Sequence, residues 1–157
     1  LKMYTYQYPR AALTVDAIVY TKEQGEIFVL LIKRGNEPFK EKWALPGGFV
    51  NMDETLEEAC KRELFEETGL QVDAITQFKA FDAINRDPRH RTISVVFSVQ
   101  LNKKAQVEGG DDAAMAGWFP VTKLPELAFD HREILADFFI LETRKVDNWQ
   151  IGDNVVF

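Results

Sequence analysis

Residues 48–70 read GFVNMDETLEEACKRELFEETGL, and this stretch decides how the rest of the chain is understood. Asp53 is a fair N-cap and Gly69 a fitting stop, so the spacing predicts a helix running to about Thr68. With Glu63 set at zero and about 100° per residue, Glu66 falls near −60° and Glu67 near +40°. Leu56, Ala59 and Cys60 occupy the same sector, at roughly +20°, −40° and +60°. Three glutamates therefore share the face that carries the apolar residues, while Glu54, Glu58 and Lys61 form the opposite, solvated stripe. A solvated acidic face is the ordinary reading of a glutamate-rich helix. Here, inward carboxylates at i, i+3 and i+4 would repel one another, and burying an unpaired one is expensive. Protonation or a bound cation must offset that cost, and a cluster of hard oxygens suits Mg²⁺ or Mn²⁺. Arg62 neutralises part of the charge, with Glu54 two turns back as its expected partner.

Gly47 and Gly48 stand just before this helix. Either their bare backbone lets a ligand or metal come close, or they form a turn that needs positive φ. Residues 43–49 contain too many backbone punctuators for regular structure.

Outward from there, alternation over Leu13, Val15, Ala17 and Val19 predicts a strand through Tyr20. A polar turn at residues 22–25 leads to the apolar run of residues 27–32, so a hairpin is expected. Residues 77–81 and 92–101 read as further strands, residues 109–112 as a loop and residues 117–120 as a short strand. Asp130 caps a second helix reaching about Lys145, and the tail beyond it is ambiguous. Strands and two main helices in mixed order predict an α/β or α+β domain with helices on both sides of a mixed sheet.

The 157 residues suit one domain, spanning 1–157. No run approaches the roughly 18 apolar residues of a membrane span, and residues 1–10 lack the apolar stretch of a secretory signal. Cys60 is the sole cysteine, which points to a reducing, cytoplasmic setting. Its place on the apolar face reads as a small buried hydrophobe. The net charge of −6 argues against broad nucleic-acid binding but not against an anionic small substrate, because a metal supplies positive charge locally.

Gly48, Glu54, Arg62-Glu63-Leu64, Glu66-Glu67 and Gly69-Leu70 fit the pattern G-x5-E-x7-R-E-U-x-E-E-x-G-U, where U is aliphatic. In this the chain resembles the Nudix hydrolases, with an intact Nudix box at residues 48–70. The resemblance implies an α/β/α sandwich around a mixed β-sheet, with a loop-helix-loop catalytic motif. It also implies hydrolysis of a nucleoside diphosphate linked to another group. Carried over, Glu63, Glu66 and Glu67 are metal ligands and the Gly48 carbonyl a further one, while Glu54 and Arg62 brace loop and helix. Mg²⁺ is the implied cofactor, with Mn²⁺ as a substitute. Glu66 or Glu67 is the candidate base that takes a proton from water. Asp111 and Asp112, in a glycine-rich loop able to close over the site, are the other candidates, though solvated loop acids look the same in sequence.

The segment Arg86-Asp87-Pro88-Arg89 before the strand at residues 92–101, the run Gly110-Asp111-Asp112-Ala113 and the run Trp118-Phe119-Pro120 are similar to ADP-ribose pyrophosphatases. That similarity implies ADP-ribose giving AMP and ribose 5-phosphate. Arg86 and Arg89, with Gly47 and Gly48, are then substrate-binding candidates, against the plain reading of a polar hairpin loop. His131 is either a substrate contact or a structural residue at a helix start. Trp118, Phe119 and Phe129 either stack on adenine or belong to the core. A small-molecule nucleotide is the expected partner, and a homodimer is expected from the resemblance. Alternative substrates are oxidised nucleoside triphosphates, dinucleoside polyphosphates and capped RNA. A non-catalytic ADP-ribose sensor is a different class of reading, although the roughly 12 residues after Lys145 are too few for a winged helix-turn-helix.

Overall fold

A computed structural model describes residues 3–110 and 112–152, the stretch 142–152 as helix backbone only. Strand β1 (Ala12–Glu23) turns at Gln24 and Gly25, both with positive φ, into β2 (Glu26–Arg34). The two pair antiparallel as the expected hairpin, with Tyr20 opposite Val29. Residues 43–49 are more regular than their glycines and proline suggest. They form β3 (Trp43–Ala44) on β2 and β4 (Gly47–Phe49) on β1. Neither Gly47 nor Gly48 needs positive φ. A Cβ at Gly47 would strike the Val15 carbonyl, and one at Gly48 the Glu63 carboxylate. Close approach is therefore what these positions require.

Helix α1 (Leu56–Thr68) begins two residues later than the sequence suggests. Thr55, not Asp53, is the N-cap, in a reciprocal capping box with Glu58. Gly69 closes the helix in the left-handed conformation, as expected. Glu54 consequently lies ahead of the helix and is not part of a solvated stripe. Its side chain is only 13% exposed.

Strands β5 (Thr76–Phe81), β6 (Thr92–Leu101) and β7 (Ala113–Pro120) follow, then α2 (His131–Gly152). The last strand and last helix are both longer than expected. The sheet runs β3-β2-β1-β6-β5, with β4 on β1 and β7 on β2. Its centre is the parallel pairing of β1 with β6, in register from Ala12 opposite Thr92 to Thr21 opposite Leu101. Alternation along β1 sends Val15, Ala17 and Val19 against Ala59, Cys60 and Leu64 of α1. Ile18 and Tyr20 go to the other face, against Ile134, Leu135 and Phe138 of α2. A mixed sheet with a helix on each face is the α/β/α sandwich the sequence implies. Among the described residues, no helix is long and apolar enough to cross a membrane.

Candidate active site

The C-terminal half of α1 faces β4, and the expected glutamates diverge there. Glu67 is buried at 7% exposure, and its Oε2 accepts the Gly47 N–H at 3.0 Å. Burial pushes its carboxyl up to about 8; Glu63 and Asp16 add to the rise, while the Gly47 N–H and Arg34 oppose it. The Glu63 side chain is 14% exposed and lies where a Gly48 side chain would otherwise be. Glu66 departs from the inward reading, with a side chain 39% exposed.

Arg62 ties this group together. Its Nε and Nη2 grip Glu54 at 2.8 and 2.6 Å, its Nη1 reaches Glu63 at 2.7 Å and Glu66 at 3.0 Å, and Nη2 also donates to the Phe49 carbonyl. The guanidinium holds the Glu54 carboxyl down at about 2, against the effect of burial. Sequence reasoning anticipated this pairing, although Glu54 reaches Arg62 from the loop ahead of the helix and not from two turns back along it.

Glu63, Glu67, Gly47 and Gly48 line a cleft of about 330 Å³, and Arg86, Arg89 and Asp112 line it too. Asp112 accepts from the Asn36 side chain at 2.8 Å, joining the glycine-rich loop to the loop after β2. Asp111 lies outside the described residues. Arg89 is held by Asp87 through two hydrogen bonds of 3.0 and 2.7 Å and sits over the Phe49 ring at 5.2 Å. Arg86 faces the same cleft, but its guanidinium is 4% exposed and clasps Asp130 at 2.9 and 2.6 Å. The Asp130 carboxylate thus serves Arg86, while the residue stands just ahead of α2, where its carbonyl accepts the Ile134 N–H at 3.0 Å.

The cleft contains residues that sequence reasoning missed. Arg34, at the end of β2, has its Nε on the Pro38 carbonyl and lies 5.0 Å from the centre of the Phe129 ring. Burial and the neighbouring Arg89 lower its pKa. Asp16 lies on the cleft floor at 7% exposure, accepting from the Ser94 hydroxyl and facing His131 Nε2 at 3.6 Å. The available signal was an aspartate amid the apolar strand residues Val15, Ala17 and Ile18. Arg34 had no signal of its own, since an arginine ending an apolar strand is common. Trp118 donates to the Ala105 carbonyl and Phe119 packs on Trp43, so of the three candidate stacking aromatics only Phe129 lines the cleft. Cys60, 1% exposed and pushed up to about 12 by burial, is the inert core residue expected.

Three carboxylates and a backbone carbonyl are the hard donors a divalent cation takes. A buried Glu67 repelled by Glu63 is a place where such a cation relieves strain, so the residues fit a divalent metal. Among the described residues, no three acidic, imidazole or thiol side chains are placed to hold an ion as they stand. Glu63 and Glu66 instead share Arg62.

Comparison with known proteins agrees with this geometry. The NUDIX domain profile matches residues 10–138. An ADP-ribose pyrophosphatase of Methanocaldococcus jannaschii is 43% identical over 83% of this chain and 75% of its own length. The ADPR responsive transcriptional repressor NtrR of Acinetobacter baylyi is 35% identical over 84% of this chain, which spans only 54% of that repressor. The NUDIX domain of Shewanella oneidensis NrtR, crystallised with ADP ribose, superposes with a TM-score of 0.76 at 30% identity, covering 82% of this chain and 86% of that one. A Francisella tularensis bifunctional NMN adenylyltransferase/ADP ribose pyrophosphatase, complexed with AMP and a Mn ion, gives 0.74 at 30% identity over 88% of this chain and 43% of that one.

Shewanella oneidensis NrtR has also been solved with a 27mer DNA, at a TM-score of 0.68, 29% identity and coverage of 85% of this chain and 63% of that one. That overturns the expectation from net charge that nucleic-acid interaction is disfavoured. Net charge sums the whole surface, whereas phosphate contacts depend on where individual Lys and Arg side chains lie. The box, the sandwich, the carboxylates set against β4 and the profile match lead to one assignment: the chain belongs to the Nudix family of hydrolases, whose mechanism depends on a divalent metal.

Proposed function

We propose that this chain hydrolyses ADP-ribose with water to AMP and ribose 5-phosphate, using Mg²⁺, with Mn²⁺ as a working substitute. One observation carries the reading: a single cleft sets the carboxylates of Glu63 and Glu67 against the guanidinium groups of Arg34 and Arg89. A nucleoside diphosphate needs cation-binding oxygens at the bond that breaks and fixed cations for the remaining phosphate oxygens. The likeness to ADP-ribose pyrophosphatases supports the choice of substrate.

In this reading Glu63, Glu66, Glu67 and the Gly48 carbonyl hold the metal. Bound there, the ion neutralises diphosphate charge and acidifies water. Arg62 and Glu54 keep the helix and the preceding loop in fixed relation. Arg89, steadied by Asp87, meets phosphate oxygens, and Arg86 shapes the wall behind it. The bare backbone of Gly47 and Gly48 lets the diphosphate approach. Glu66, Glu67 or Asp112 takes the proton from the attacking water, with Asp111 a candidate on sequence grounds. The working unit is one domain over residues 1–157, acting in the cytoplasm as a homodimer.

Hydrolysis of ADP-ribose in ¹⁸O-water, followed by product masses, tests the reaction. Label in one product identifies the attacked phosphorus. Turnover of another nucleotide in a panel, with ADP-ribose untouched, overturns the substrate. A second reading, an ADP-ribose sensor, draws on the likeness to the ADPR responsive repressor. Tight ADP-ribose binding without cleavage in excess Mg²⁺ would establish it in place of the first.

A further inference from the structure

The imidazole of His131 is 3% exposed and stands at the first turn of α2, yet it bonds to a different element. Its Nδ1 accepts the Leu45 backbone N–H at 2.9 Å. A ring nitrogen that accepts carries no proton, so the ring is neutral with its proton on Nε2. That edge faces Asp16 Oδ1 at 3.6 Å, and Asp16 is itself anchored by the Ser94 hydroxyl.

Leu45 opens the short connection that leads to Gly47. Just before it, Trp43 exchanges backbone bonds with residues 126–128: its N–H donates to the Glu126 carbonyl, and its carbonyl accepts the Ala128 N–H. The imidazole takes over as acceptor where that backbone pairing ends. On the far side, the Pro46 carbonyl accepts the Ala17 N–H at 2.8 Å. The connection is thus pinned from two sides, and the next donor along it is the Gly47 N–H on Glu67 Oε2.

We propose that His131 is a positioning residue for the metal site: by accepting the Leu45 N–H it fixes the connection that presents the Gly47 N–H to Glu67. The Asp16 carboxylate, anchored by Ser94 and 3.6 Å from Nε2, is the charge that favours a proton on that nitrogen and so the tautomer this requires. The proposal rests on the reading of Glu67 as a metal ligand. It assigns Asp16 and His131 on the floor of the cleft, with Ser94 behind Asp16, to that ligand's alignment and not to substrate contact. Without the acceptor, Leu45 carries a buried unpaired N–H, and the connection gains freedom to move Gly47 away from Glu67.

Two substitutions separate alignment from mere packing. His131→Asn keeps an oxygen where Nδ1 stands, whereas His131→Gln carries its amide out toward Asp16 and leaves Leu45 without an acceptor. Mn²⁺ affinity, read by electron paramagnetic resonance without substrate, is expected to fall at least about tenfold in His131→Gln. It should stay within about threefold of wild type in His131→Asn. The turnover number should follow the same order with the Michaelis constant little changed. A purely structural histidine would lower the melting temperature in both variants and leave metal affinity alone. Wild-type Mn²⁺ affinity in a folded His131→Gln protein, or equal loss in both variants, overturns the proposal. ¹⁵N spectra of the wild-type ring decide the matter even if a variant fails to fold, since a proton on Nδ1 excludes the bond to Leu45. Absence of Mn²⁺ binding in the wild-type protein is a separate outcome: it overturns the metal reading, and this proposal with it.

Discussion

At the residue scale, Glu67 concentrates the chemistry. It is an acid kept from water, beside Glu63 and Asp16, with a backbone N–H to orient it. Glu67→Gln and Glu66→Gln are each expected to lower turnover by about 100-fold or more while the fold persists. Steady-state kinetics beside circular dichroism checks this, and near-normal turnover in both variants refutes the assignment. Arg86 shows how structure changes an expectation. From sequence, Arg86→Ala should raise the Michaelis constant for ADP-ribose more than it alters folding. In the fold, that change strands a part-buried Asp130 carboxylate beside a buried arginine site. Breaking such a pair from one side costs about 3–5 kcal/mol, so urea unfolding should record a large loss. A stable variant with only a raised Michaelis constant would return Arg86 to the role of direct substrate contact.

At the element scale, the junction of β4 with α1 is the part that must not change shape. Gly47 and Gly48 are adjacent but answer to different neighbours. A methyl group at Gly47 meets the Val15 carbonyl of β1, which is backbone and cannot move aside. At Gly48 it meets the end of the flexible Glu63 side chain. Gly47→Ala should therefore lose stability, whereas Gly48→Ala should fold but displace Glu63 and lose metal affinity. Thermal melts and Mn²⁺ titration on the pair give a clear answer, and the reverse pattern would refute it. The start of α1 is more modular. Thr55→Ala removes the capping box and should cost about 1 kcal/mol, visible as a lower melting temperature.

At the scale of the whole molecule, the acidic site couples stability to pH and to metal. The Glu67 carboxyl is raised from 4.5 to about 8, so in between the unfolded chain has lost a proton that the folded one keeps. The unfolded state then binds fewer protons, and stability contributed by this group falls as pH rises through that window. The metal-free protein should lose on the order of a few kcal/mol between pH about 5 and about 8 from this site. Mg²⁺ should restore it by binding only the folded form, and Glu67→Gln should flatten the dependence. Calorimetry across the window with EDTA or Mg²⁺ tests all three, and a Mg²⁺-independent profile would count against an ion beside Glu67.

The local pattern of the chain by itself determined the α1 helix and its glycine stop, the β1–β2 hairpin, the β6 strand and the Arg62–Glu54 brace. Each depends on periodicity or on partners close along the chain, which covalent spacing fixes. The inward set of carboxylates was legible in the same way but only in part, because how far Glu66 reaches solvent depends on what packs beside the helix. Only the tertiary structure decided the parallel union of β1 with β6, whose partners lie about 80 residues apart. It also decided the meeting of Arg86 with Asp130, the arrival of Arg34 beside Arg89, and the seating of His131 between Asp16 and Leu45. Such contacts join elements that share no local pattern. Their cause is the way two helices cover opposite faces of one sheet, and no spacing along the chain encodes it.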